Sequence, residues 1–421
     1  MNRNWNLRRC SWGLCGFWLC GFWMALPTLA DDWSQWRGPN RDGKSAEIDL
    51  LDKWPAAGPK LLWHTQELGS GYSTPSAAAG TAYLLANKDP QQEQLIALAL
   101  NDGSQQWATP IGEVGENKGP QYPGTRSTPT IDGDRLYALG SDGDLVCLSA
   151  QSGKIQWRKN LKEDFGGKPG AWAYAESPLI DGDVLICSPG GPTATVVALN
   201  KQDGALVWKT PIPEADDASF SSPVVATLDG VKQYVVFLAK GVVGLEAQTG
   251  QPLWRYTKTA DVAANVQTPV VNADFVYTAA GRVGGGLVRI TGSQQEPAEI
   301  YFAKSMPSGM GGSVLIDGYL YGASGQTLMC IEYATGKVMW QDRSIGASSL
   351  VAADGKLYLH GENNEVAMVK VSPDSYQELG RFTPPDAPDH GKSKAWSYPI
   401  IVDGKLLVRD VGSVWCYDIR D

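Results

Sequence analysis

The feature that most constrains this chain is an internal repeat with a period of about 45 residues, long enough for one four-stranded supersecondary unit. One copy reads 126–137 (RSTPTIDGDRLY), 142–148 (DGDLVCL) and 151–157 (QSGKIQW). The next reads 176–186 (ESPLIDGDVLI), 196–199 (VVAL) and 203–208 (DGALVW). Each copy alternates short apolar-polar runs with Asp-Gly, Thr-Gly or Ser-Gly pairs. Asp-Gly between such runs signals a tight hairpin, because the turn needs positive φ. An opening motif recurs at Ser73, Ser127, Ser177, Ser222 and Thr268, each followed directly or after one residue by proline. Weaker copies begin at Ser313, Ser349 and Tyr398. A closing tryptophan recurs at Trp63, Trp107, Trp157, Trp208, Trp254 and Trp340. Tyr301 takes one further place and the segment near Leu379 another.

Trp63 comes before the first opening motif, so the chain begins with a closing strand, Lys60–Thr65. It ends with an opening, 396–419, that lacks its own closing strand. An open solenoid or two stacked sandwiches would leave both ends incomplete. A ring repairs both at once and hides strand edges. The expectation is an all-β, eight-bladed β-propeller with the N-terminal strand closing the last blade. It occupies residues 60–421, after an N-terminal extended segment at 31–59.

Residues 1–30 stand apart. Arg3, Arg8 and Arg9 precede an apolar stretch from Cys10 to Leu26, and Thr28, Leu29 and Ala30 offer small residues for cleavage. This is the layout of a signal peptide, weighed against an uncleaved anchor. Its removal takes the net charge from −9 to −12. An acidic exported chain, periplasmic or secreted, is a poor partner for nucleic acid or anionic membrane. After cleavage nothing is expected to span a membrane, and the protein is expected to be a monomer.

The closing segments 198–208 (ALNKQDGALVW), 244–254 (GLEAQTGQPLW) and 330–340 (CIEYATGKVMW) resemble the tryptophan-docking motif of PQQ-type propellers. The resemblance covers nearly all of 60–420. It implies that Trp63, Trp107, Trp157, Trp208, Trp254 and Trp340 pack between blades, against a glycine-containing turn of the neighbour. Three branches share the pattern. Quinoprotein alcohol dehydrogenases hold PQQ and calcium. The propeller subunit of the outer-membrane β-barrel assembly machinery is a scaffold without cofactor. A third group, exported PQQ-binding-like propellers, is resembled by 33–43 (WSQWRGPNRDG) and is the favoured match.

The chemistry-bearing residues are sparse. Cys147, Cys330 and Cys416 share one repeat column with Ala97, Ala198, Gly244 and Ala367, so they read as small packed residues in different blades and as free thiols; Cys187 lies on another strand. There is no Cys-Cys pair, no haem-attachment motif, no phosphate loop and no zinc-hydrolase motif. His64 and His360 fall in strand patterns. Asp386, Asp389 and His390 form a loop that reads more simply as solvated than as a cation site. The Asp-Gly pairs lack the ligand spacing of a calcium loop. No catalytic residue, metal ligand or cofactor is assigned; PQQ with calcium is the alternative.

Ligands of such rings sit on loops at one face. Three connections are long, 109–125, 159–174 and 381–395, and they flank neighbouring blades. The column Ser73, Ser127, Ser221, Gly312, Ser348 and Ser397 is expected to line the mouth, interrupted by Glu176 and Gln267. Tyr72, Arg126, Trp172, Glu176, Gln267 and Trp396 are therefore the candidate ligand-binding residues, with an aromatic wall and an Arg126–Glu176 polar pair. The leading functional reading is a non-catalytic module binding a protein, peptide or glycan on one face. Alternatives are a PQQ-dependent dehydrogenase of alcohols or sugars and an outer-membrane assembly scaffold.

Overall fold

The computed structural model describes Met1 and residues 32–116, 124–212, 216–292, 296–389 and 394–421. The expected leader and His390 lie outside the described residues. Among them, the strands form eight four-stranded antiparallel sheets. Seven sheets are consecutive in sequence: blade 1 at 76–113, blade 2 at 130–160, blade 3 at 179–210, blade 4 at 224–256, blade 5 at 270–303, blade 6 at 313–342 and blade 7 at 348–382. Blade 8 takes Ile400–Val402, Lys405–Asp410 and Ser413–Asp418 from the C-terminal end and Lys60–Thr65 from the other. Lys60–Thr65 runs antiparallel to Ser413–Asp418, with Trp63 opposite Cys416 and Thr65 opposite Val414. The ring closes as the sequence predicts.

The hairpins follow from their turn residues. Asp229-Gly230 and Asp354-Gly355 make two-residue turns with both φ values positive, the geometry that suits the twist of paired strands. The first of the three long connections starts later than expected, because the last strand of blade 1 continues to Glu113. The second contains a short helix, Leu161–Phe165, whose first turn is capped by the Asn160 side chain.

The small-residue column has a direct cause. Cys147, Cys330 and Cys416 pair across the strand with Trp157, Trp340 and Trp63, while Ala97, Ala198 and Gly244 pair with Trp107, Trp208 and Trp254. A Cβ on Gly244 would meet Trp254 Nε1 at 2.1 Å. The four described cysteines are buried and free. In every blade the pairing of the third and fourth strands slips by one residue just before the docking position. This bulge twists the outer strand and blunts its open edge.

Five of the docking tryptophans donate their indole N–H to a backbone carbonyl of the next blade. Trp63 reaches Leu100, Trp107 reaches Ala150, Trp157 reaches Lys201, Trp208 reaches Ala247 and Trp340 reaches Ser372, at 2.8–3.3 Å. A Cβ on Gly103 or Gly250 would lie within 2.5 Å of Trp63 or Trp208, so the ring packs on a bare glycine backbone. Tyr301 bonds Tyr333 O in the same way. Trp254 departs from the pattern and donates to Gln233 Oε1 of its own blade at 2.8 Å. In blade 7 the docking position is Gly380, opposite Met368. Trp54 of the N-terminal segment lies over it, with Trp54 N donating to Leu379 O and its ring 6.0 Å from Tyr358. Trp107, Trp157 and Trp340 stand at nearly the same distance from Tyr83, Tyr137 and Tyr321. A distant segment thus supplies the ring that blade 7 lacks.

Candidate functional site

The opening motifs stitch neighbouring blades around the axis. Thr128 N donates to Ser177 Oγ, Ser177 N to Ser222 Oγ and Tyr398 N to Thr74 Oγ1, each at 2.9 Å. Ser221 Oγ donates to Gln267 O, Gln267 Nε2 to Ser313 Oγ and Ser349 Oγ to Trp396 O. The recurrence of Ser and Thr at blade starts is therefore explained by inter-blade hydrogen bonding.

Residues 33–45 fill the channel that these starts enclose. Trp33 pairs with Ala77 of blade 1, and Ser34 O accepts from Ile131 N of blade 2. Arg41 reaches Ser177 O at 3.1 Å, Pro223 O at 2.9 Å and Pro178 O, in blades 3 and 4. Trp36 Nε1 donates to Thr268 Oγ1 of blade 5 at 2.8 Å, and Arg37 Nη2 donates to Ser313 O of blade 6. Ser45 N donates to Ala352 O of blade 7, and Trp36 packs edge-on against Tyr398 of blade 8 at 4.7 Å. One short segment touches all eight blades. The repeat pattern predicts only an extended segment here. The segment's dense Trp and Arg content was the available signal, since such groups need buried partners.

Above the plug opens a cavity of about 430 Å³ with Trp36 in its floor. Tyr72, Arg126, Trp172 and Trp396 all line it, and Phe220 and Tyr398 complete the aromatic wall. Tyr72 and Trp396 stand 5.2 Å apart, and Trp172 meets Phe220 at 5.7 Å. Arg126 lies 5.4 Å from the Tyr72 ring centroid and donates to Gly124 O and Trp172 O. Burial lowers its pKa to about 10. At the rim Glu362 accepts from Trp396 Nε1 at 2.9 Å and faces Lys394 at 3.5 Å.

Two candidates fall elsewhere. Gln267 is buried in the blade 5–6 stitch and does not line the cavity. Glu176 lies below the cavity wall and accepts from Ser188 N; the charge that faces it is Arg41. Burial pushes Glu176 up to about 7, opposed by the Ser188 hydrogen bonds and by Arg41. The expected Arg126–Glu176 pair is not formed; the cation that acts on Glu176 is Arg41, through space and without a direct ion pair, because the plug delivers a guanidinium to a position the repeat alone leaves vacant. The column Ser73, Ser127, Ser221, Ser348 and Ser397 is also buried. The cavity is lined instead by Thr74, Ser177, Ser222 and Ser349, one residue later, and by Tyr72, Arg126, Phe220 and Trp396, one earlier. Residues on either side of a buried position share the opposite face of an extended chain.

His360 is fully buried between Ser397 O and Asn364 Oδ1, and His64 stacks on Trp415 at 4.6 Å, so both serve packing. Among the described residues no group of three or more His, Cys, Asp or Glu side chains could hold a metal ion. Glu362 is the single carboxylate described in the cavity wall, already engaged by Lys394 and Trp396. This donor set does not fit a quinone held through calcium, which needs several oxygen ligands round the ion.

The family model described as outer membrane protein assembly factor BamB matches residues 49–166 and 92–342. The chain belongs to this family of propellers. It is similar to the outer membrane protein assembly factor BamB of Yersinia pestis, 25% identical over 63% of this chain and 67% of that protein. It spans about two thirds of the length of the curated relatives it matches. The fold is shared with BamB from Moraxella catarrhalis, with TM-score 0.59, 16% identity, 84% of this chain and 97% of that one. It is shared also with a quinohemoprotein alcohol dehydrogenase from Comamonas testosteroni, with TM-score 0.66, 12% identity, 92% and 80% covered. Among the described residues no helix is long and apolar enough to cross a membrane.

Proposed function

We propose that this chain is an exported, non-catalytic scaffold that holds a protein partner during assembly of the outer membrane. The observation that carries the reading is the assembly-factor family match over residues 49–166 and 92–342. It moves the assembly scaffold, third among the sequence-based expectations, ahead of the dehydrogenase. The site chemistry is consistent with that order, since the cavity offers aromatic surface and little ionisable chemistry. Export through the 1–30 leader and action in the periplasm belong to the same proposal, as does the choice of a protein over a glycan partner.

The test is affinity purification of the tagged chain from its native envelope, followed by identification of what accompanies it. Recovery of an outer-membrane barrel protein in defined stoichiometry is expected. Quinone absorbance that follows the protein through gel filtration after titration with PQQ and calcium, with no barrel protein recovered, reverses the reading in favour of the dehydrogenase.

A further inference from the structure

Resting on the scaffold reading, we propose that the cavity is the recognition site for one aromatic side chain, presented beside a carboxylate by an extended segment of the partner polypeptide.

Three observations carry this. First, the wall is aromatic from floor to rim: Trp36 at the bottom, then Tyr72, Phe220, Trp172 and Trp396. Such rings gain most from another ring set edge-on or offset against them. Second, the Ser and Thr hydroxyls of the wall are drawn into the inter-blade stitches: Thr74, Ser177 and Ser222 each accept from a backbone N–H of a neighbouring blade, and Ser349 donates to Trp396 O. A glycan needs many polar partners on entering a pocket, whereas an indole or phenyl ring needs few. Third, the described charges of the wall are Arg126 and Lys394 against Glu362, in a chain of net charge −9. A local cationic excess within an acidic protein favours an approaching carboxylate over an amine.

The mouth extends the same surface outward. Met310, on the connection entering blade 6, lines the cavity and is 41% exposed. The volume of about 430 Å³ lies in the range of ligand pockets and suits one large side chain with its flanking backbone. The plug gives the cavity a closed floor, so the occupant enters and leaves by one mouth.

The experiment is isothermal titration calorimetry of the purified protein with a blocked hexapeptide carrying one tryptophan between two aspartates. Replacing the peptide's tryptophan by alanine is expected to weaken binding at least about tenfold, the usual minimum for an aromatic anchor. Replacing its aspartates by lysines is expected to weaken it as well. On the protein side Trp172→Ala removes part of the wall and Ala264→Trp fills the cavity from a partly exposed position; both are expected to lower affinity at least about tenfold with the melting transition retained. Equal binding of the alanine peptide, unchanged affinity in both variants, or heat from a cello-oligosaccharide or from PQQ with none from the peptide overturns the assignment. The two readings fail separably. A protein that binds the peptide but brings down no barrel protein contradicts the assembly role alone. One that brings down a barrel protein yet gives no heat with the peptide contradicts the cavity assignment alone.

Discussion

Replacing Arg41 by methionine tests whether the plug holds the ring together. The Arg41 side chain is buried and donates to Gln35 Oε1 at 2.8 Å, to Ser177 O, Pro178 O and Pro223 O, and faces Glu176. Burial pulls its pKa down to about 9, so it is still charged at neutral pH. Methionine keeps the stem and removes every donor. Pro178 O keeps the Thr130 hydroxyl as a donor, so two backbone carbonyls, Ser177 O and Pro223 O, lose their donor, and Glu176 loses a nearby cation with which it makes no direct ion pair. Leaving a buried acceptor unsatisfied costs about 1–3 kcal/mol, so two cost about 2–6 kcal/mol. A loss of about 4 kcal/mol is therefore expected, read as a lower urea midpoint with unchanged slope. Arg41→Lys keeps the charge without the planar fork and should fall between the two. A methionine variant within about 1 kcal/mol of the parent would refute the reasoning, since surface substitutions alone span that range.

Glu93 is fully buried, accepts from Ser141 N and Oγ, and is pushed up to about 7 by burial. A carboxyl with a raised folded pKa binds more protons folded than unfolded between pH 4.5 and 7, so its contribution to stability falls as pH rises through that window. Glu93→Gln is expected to melt higher than the parent at pH 8, with the difference gone at pH 4; thermal melts against pH check this. Gly244→Ala would put a Cβ 2.1 Å from Trp254 Nε1, and a loss of about 1–3 kcal/mol in denaturant titration is expected from the overpacking. Burial pushes the Cys330 thiol up to about 11 and Cys416 up to about 12, and raises Cys147 and Cys187 as well. A thiol reagent should find none of the four reactive in the folded protein and all four after unfolding.

The ring was legible in the sequence because a propeller writes each blade out in full. The period, the Asp-Gly turns and the complementary ends at Trp63 and 396–419 need no tertiary information. The aromatic wall was legible for a similar reason: Tyr72, Arg126 and Trp396 stand at one repeat position, and Trp172 ends the long connection before blade 3. What the repeat could not reveal is whatever lies outside it. Residues 33–45 have no counterpart in the blades, so nothing in the pattern places Arg41 near Glu176 or Trp36 beneath the cavity. Trp54 completing blade 7 at Gly380 is a second case, a contact across more than three hundred residues with no local signature. Gln267 falls outside the cavity because a polar side chain that interrupts a small-residue column can point along the ring as readily as into it.

The most direct measurement places a photo-crosslinking residue on each face of the ring in living cells. The mouth faces the segments that lead into the first strands, and the first hairpin turn of each blade lies at the far end of those strands. Met310 at the mouth and Asp134 in the first turn of blade 2 are both exposed. The account predicts an adduct with an outer-membrane assembly partner from position 310 and none from position 134. An adduct from position 134 alone, or from neither while the protein is present at its normal level, contradicts it.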